Sequence, residues 1–182
     1  MSAFTAGAPD LEAAQAHFGA ALAALGLGDD PEMGSTPARV AQFLGEFRPG
    51  PLPACEPLPT RGHAPVVVRD LAFASLCAHH LLPFFGHLTI AYRPDGRIAG
   101  LGWFPRLVDA LARRPQLQER LVDDVADAVF DALSPKALIV WCSARQMCVE
   151  MRGARAHATF EVSARRGLDD RDLLALVSQR AR

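Results

Sequence analysis

A chain of 182 residues, half of them hydrophobic, holds enough apolar material for one domain of ordinary size with a sizeable core. Its 19 basic and 20 acidic residues leave a formal net charge of −1, so no basic excess points to nucleic acid as a partner. No apolar run approaches the roughly 20 residues that span a bilayer, and no basic segment followed by an apolar one opens the chain, so neither a membrane partner nor a signal peptide is expected. A cytoplasmic location follows as the expectation. Thiols stay reduced there, so Cys55, Cys77, Cys142 and Cys148 are read as ligands or packing residues and not as a disulfide framework.

Residues 10–25 carry Leu11, Phe18, Leu22 and Leu25 at helical spacing among alanines, and Gly26 and Gly28 stop the pattern. Thr36-Pro37 reads as a cap followed by proline at the first helical position, and Val40, Phe43, Leu44 and Phe47 then form a second apolar stripe. Arg39 lies off that stripe, where a solvated surface arginine is the default reading. The sequence thus predicts an N-terminal helical segment over 1–48 and a second unit over 49–182.

Residues 48–65 are rich in proline and glycine and read as a connection, with Cys55 incidental to it. Val66, Val67 and Val68 open a strand that runs to Cys77. Residues 86–92 alternate as a second strand, and Pro94-Asp95-Gly96 turns back into Arg97-Ile98-Ala99, which predicts a hairpin. Between the strands lies Ser75-Leu-Cys-Ala-His-His-Leu-Leu-Pro-Phe-Phe-Gly-His87, with Cys77, His79 and His80 close together. A Cys-x-x-His pair at the end of an extended run can direct both side chains at one metal, leaving His79 to handle protons. The plainer alternative is a small buried thiol and two satisfied core histidines. Two ligands do not hold zinc, and a three-ligand site with one open position is the catalytic pattern for that metal.

Residues 104–112 and 116–133 have the helical period, and Arg113-Arg114-Pro115 marks the joint. Glu119 falls in the first turn of the longer helix, where the dipole alone favours a carboxylate. Residues 137–141 read as a strand; if it persists, Gln146, Cys148, Glu150 and Arg152 share one parity and one face of a sheet. Residues 157–163 form another strand and 169–177 a closing helix. The order predicts an α+β fold, a four-stranded antiparallel sheet with helices on one face. Such a sheet has two open edges, which pairing with further subunits commonly closes, so a homo-oligomer is expected.

Cys77-Ala-His-His-Leu-Leu-Pro-Phe-Phe-Gly86, Ile98-Ala-Gly-Leu101, Arg106-Leu-Val108, Ala112-Arg-Arg-Pro-Gln-Leu-Gln-Glu-Arg-Leu121 and Met147-Cys-Val-Glu-Met-Arg-Gly153 together resemble GTP cyclohydrolase I. Thr36-Pro-Ala-Arg-Val40 is similar to that family's N-terminal segment. The resemblance implies the tunnelling fold over 49–182, in which subunits join their sheets into a barrel, usually as a decamer of two face-to-face pentamers. It also supplies the third ligand: Cys148 matches the family's last zinc ligand, beside Cys77 and His80. Zinc there would bring the pKa of a water toward roughly 7, for attack at C8 of a guanine ring. His79 matches the proton-transfer histidine and Glu119 the carboxylate that accepts from guanine N–H groups, with Gln118 beside it as a further substrate contact. Arg39, Arg106 and Arg152 match positions that contact the triphosphate.

Five positions depart from the family pattern. Gln146 stands where the family has a second catalytic histidine, and Gly102-Trp103 where it has Ser-Lys. Gln42 replaces a lysine and Ala78 an acidic residue. Glutamine cannot carry a proton to a leaving nitrogen, and general acid-base help is worth about 10²–10⁴ in rate. Trp103 is expected either to stack on a substrate ring or to fill triphosphate space. The changes fall on proton transfer and phosphate binding while the ligands stay. The sequence is therefore read as a zinc hydrolase that opens the imidazole ring of a guanine-type purine, with an altered substrate or end point. The alternatives are ordinary GTP cyclohydrolase I, making 7,8-dihydroneopterin triphosphate for folate or pterin biosynthesis, and a non-catalytic purine- or pterin-binding regulator.

Overall fold

The computed structural model of the chain describes residues 7–178. The chain divides after Pro49 into two compact units.

The N-terminal unit is helical. Helix α1, Leu11–Ala24, is capped by the Asp10 carboxylate, which accepts from the Ala13 N–H at 2.9 Å. A short 3₁₀ turn, Pro31–Met33, leads into α2, Thr36–Glu46, which has proline in its first turn. The two helices pack on each other, with Ala41 the buried residue of α2.

The second unit is built on a five-stranded sheet. Its elements in chain order are β1 (Leu58–Pro59), β2 (Val66–Cys77), β3 (Pro83–Arg93), β4 (Arg97–Ile98), α3 (Trp103–Ala112), β5 (Pro115–Gln116), α4 (Gln118–Leu133), β6 (Ala137–Gln146), α5 (Met147–Glu150), β7 (Thr159–Gly167) and α6 (Arg171–Ser178). The strand order in the main sheet is β5-β2-β3-β6-β7; the four long strands are antiparallel and the two-residue β5 runs parallel to β2.

Period 2 sorts the strand side chains. Leu88, Ile90 and Tyr92 of β3 and Leu138, Val140 and Cys142 of β6 face α3 and α4 in the main core. Ala91, Ala137 and Ile139 point the other way and pack with Leu173 and Val177 of α6. The closing helix thus covers part of the second face.

Three local expectations change. The hairpin pairs β2 with β3, from Val66↔Tyr92 to Leu76↔Pro83, and not 86–92 with 97–99. Both edges of β3 are already taken, by β2 and β6, so Arg97–Ile98 pairs with Leu58–Pro59 instead, inside the segment read as a plain connection. The long helix starts at Gln118, because Pro115 and Gln116 are extended beside Leu76 and Cys77. Finally, β6 stops at Gln146 and turns helical, so strand parity does not place Cys148, Glu150 and Arg152.

Candidate active site

Strands β2 and β6 both flank β3 and both run against it, so their C-terminal ends meet at its start. Leu76 is opposite Pro83 and Gln146 opposite Phe84. After Cys77 the chain makes one helical turn. The N–H groups of His80 and Leu81 both donate to the Cys77 carbonyl, at 3.2 and 2.8 Å, and Leu81 closes the turn at φ 53°. That turn brings His80 back over Cys77, the Cys77 Sγ to His80 Nδ1 distance being 3.6 Å. On the far side of β3, α5 begins straight after Gln146 and carries Cys148. The ligand atoms of Cys77, His80 and Cys148 lie within 4.8 Å of one another.

The donor set fits a tetrahedral zinc. Zn–S near 2.3 Å and Zn–N near 2.0–2.1 Å at a tetrahedral angle place sulfur and nitrogen about 3.5 Å apart, the spacing of Cys77 and His80. Burial first, then the neighbouring Cys77 thiol, raises the pKa of the Cys148 thiol. His79 is exposed on the same turn, edge-on to the His80 ring at 6.1 Å between centroids.

Polar contacts behind the cluster fix its loop. The Ala78 N–H donates to the Gln116 carbonyl at 2.9 Å, and the buried Ser75 hydroxyl donates to the Ala112 carbonyl at 2.7 Å. The Gln116 amide in turn donates to Asp124, which also pairs with Arg114. The sequence reading missed Gln116, Ser75 and Asp124, none of which stands out by type or spacing.

Gln146 adjoins the cluster. Its amide N–H donates to Gln118 Oε1 at 2.8 Å, and the Cys148 thiol lies 4.0 Å from its Oε1. Gln118 is only 4% exposed, and its own N–H groups reach the Phe160 carbonyl at 2.9 Å and Cys142 Sγ at 3.5 Å. That side chain is held by partners within the protein. A signal was available: Gln118 stands on the apolar stripe of α4 with Leu121, Val122 and Val125, so it had to be a buried polar residue with partners. Burial pushes the Cys142 thiol up to about 12, so it stays neutral and serves packing.

Glu119, Arg106 and Arg152 are exposed, on α4, α3 and just after α5 respectively. Arg39 is exposed on α2, in the N-terminal unit. Trp103, expected either to stack on a ring or to fill triphosphate space, is turned inward. It is 5% exposed, its ring lies edge-on to Phe104 at 5.3 Å, and its indole N–H donates to the Pro53 carbonyl at 3.0 Å. The lysine-to-tryptophan change therefore removes a cation by turning the side chain into the core, and presents no stacking surface.

The GTP cyclohydrolase I family pattern matches residues 14–174. A Geobacillus kaustophilus protein named GTP cyclohydrolase 1 is 37% identical over 174 residues, which is 90% of this chain and 93% of that protein. A Streptococcus agalactiae protein of the same name is 41% identical over 172 residues, covering 87% and 92%. One from Campylobacter lari is 50% identical over 103 residues, 56% of this chain, and that match spans about half of the relative, 54%. Among solved structures, the apo form of the archaeosine synthase QueF-Like superposes with a TM-score of 0.51 at 20% identity, covering 60% of this chain and 100% of the other. At that identity the likeness is one of fold.

Proposed function

The chain belongs to the GTP cyclohydrolase I family, with its α+β tunnelling fold, and on that premise we propose that it is a zinc-dependent hydrolase that opens the imidazole ring of a guanine-type purine. The observation that supports this most directly is the convergence of Cys77, His80 and Cys148 within 4.8 Å beside an exposed histidine. Zinc held by these three residues supplies a Lewis acid and a water acidified to a pKa of roughly 7. His79 takes and returns protons at the ring. Glu119, at the start of α4, accepts from the N–H groups of the guanine edge, which selects guanine-type rings. Arg106 and Arg152 meet an anionic substituent, and Arg39 is assigned to the same task on the sequence pattern.

Two departures shape the reading further. With Gln42 and Trp103 in place of lysines, two charge-assisted contacts of roughly 1.5–3 kcal/mol each are missing, so a triphosphate is held less tightly. With Gln146 in place of an imidazole, the step that needs a second acid is slowed. Ring opening requires a water at C8 and one proton on the departing nitrogen, which His79 can deliver. Releasing the formyl group is a second hydrolysis with its own proton transfers. The ring-opened formamide is therefore the expected main product, from phosphorylated and unphosphorylated guanine-type purines alike.

The second reading is ordinary GTP cyclohydrolase I, making 7,8-dihydroneopterin triphosphate. It is favoured by the names of relatives at 37 and 41% identity over most of their length. Mass spectrometry of products from zinc-loaded protein, with GTP and with guanosine, separates the two. Accumulation of a formamide from either substrate supports the first; efficient conversion of GTP to the pterin establishes the second.

A further inference from the structure

The two glutamines beside the metal cluster form a chain whose direction is determined by its far end. The Phe160 carbonyl can only accept, so the group of Gln118 that meets it at 2.9 Å is the NH₂. Gln118 Oε1 then points the opposite way, and the group of Gln146 that meets it at 2.8 Å must also be its NH₂. What remains of the Gln146 amide is the carbonyl, and its Oε1 is the end 4.0 Å from Cys148 Sγ. Gln118 is itself buried, and its reversal would set two carbonyls against each other at the Phe160 end.

We infer that Gln118 is a positioning residue that locks the Gln146 amide so that its carbonyl, and not its N–H, is the end turned toward Cys148 and the cluster that it forms with Cys77 and His80. There the carbonyl accepts a hydrogen bond from the attacking water. This rests on the function proposed above. An acceptor at that place takes one O–H of the water and leaves a lone pair directed at the substrate, whereas a donor would compete for that lone pair. Gln146 thus orients the nucleophile and moves no proton, a different task from that of an imidazole at the same position. The lock requires an amide at 118: a carboxylate there could not donate to Phe160, and an apolar side chain would leave the Gln146 amide free to rotate.

The test uses Gln118→Met, Gln146→Leu and the double variant, each as full-length protein. In metal-free protein, thermal unfolding of the four forms gives a double-mutant cycle, and a coupling of about 5-fold in the unfolding constant is expected, the size of one hydrogen bond. In zinc-loaded protein, single-turnover ring opening is expected to fall by roughly 100-fold in Gln118→Met, as for a nucleophile displaced by about 1 Å. KM and the zinc Kd from chelator competition stay within about 2-fold, and the double variant is no slower than the slower single one, as for residues that act as a unit. Absence of coupling overturns the lock. Coupling with an unchanged ring-opening rate in Gln118→Met, or a loss accounted for by weaker zinc binding, overturns the positioning role. Should the unaltered protein open no purine, the proposed function fails, while the cycle still tests the Gln118–Gln146 lock.

Discussion

Cys77 and His80 share one turn, but Cys148 reaches them from another element, so its removal leaves a pair that cannot hold zinc alone. Cys148→Ala is expected to cost zinc affinity about 100-fold or more, beyond the range seen for residues that only support ligands, and metal analysis after dialysis checks it. Full occupancy in that variant would remove Cys148 from the ligand set. A second residue-scale effect lies away from the site. Asp170 accepts from Arg93 Nε at 2.5 Å and Nη2 at 3.2 Å and from the Leu173 N–H at 2.9 Å, tying the start of α6 to the end of β3. The Arg93 hydrogen bonds, then that backbone N–H, hold its carboxyl below the usual carboxylate range. A pKa lowered by folding contributes stability that is complete above the unfolded value, near 3.9, and is lost as pH falls through the folded value. The Tm gap between the native chain and Asp170→Asn is therefore expected to be widest between about pH 6 and 8 and to close below about pH 4. A gap independent of pH would mean that Asp170 matters only by shape.

At the scale of elements, the site depends on how closely β3 lies between β2 and β6. Gly86 pairs with Ala144, and a Cβ there would fall 2.0 Å from the Ser143 carbonyl oxygen and 2.7 Å from the Ala144 Cα. Both are backbone atoms, so relief requires the strands to part. Gly86→Ala is expected to destabilise by about 3 kcal/mol, at the upper end of overpacking costs. For a chain of this size that is a Tm drop of roughly 6–12 °C. The same parting moves Gln146, two pairs along the ladder, so zinc affinity should weaken with it. A variant with native Tm and zinc binding would show that the ladder tolerates a wider spacing here.

For the whole molecule, the sheet leaves two edges to be filled. Among the described residues β7 has no partner on its outer side, and β2 has one there only at Leu76 and Cys77, leaving 66–75 unpaired. Unlike edges on opposite sides of one sheet pair head to tail, and such contacts close into a ring when the rotation permits. Light scattering is expected to give a mass several times the 19.6 kDa of one chain. A folded monomer that opens purines would show that the edges are blunted in another way.

The sequence by itself determined the helices, most strand segments and the family, because periodicity and residue-specific motifs are local properties. Leu121, Val125 and Val129 could be placed on one face without knowing what covers it, and Cys77 with His80 could be read as a pair from spacing alone. Only the tertiary structure decided which strands pair. Pro94-Asp95-Gly96 is a good turn, but whether Arg97–Ile98 returns to β3 depends on competition for β3's edges, which β2 and β6 win with longer ladders. The inward placement of Trp103 and Gln118 was not legible for a related reason. Their types suit a substrate pocket, and burial by Phe104, Pro53, Phe160 and Cys142 consumes the ring and the amide instead. The direction of a hydrogen bond, like the partner of a strand, is set by groups distant in the chain, and no local pattern encodes them.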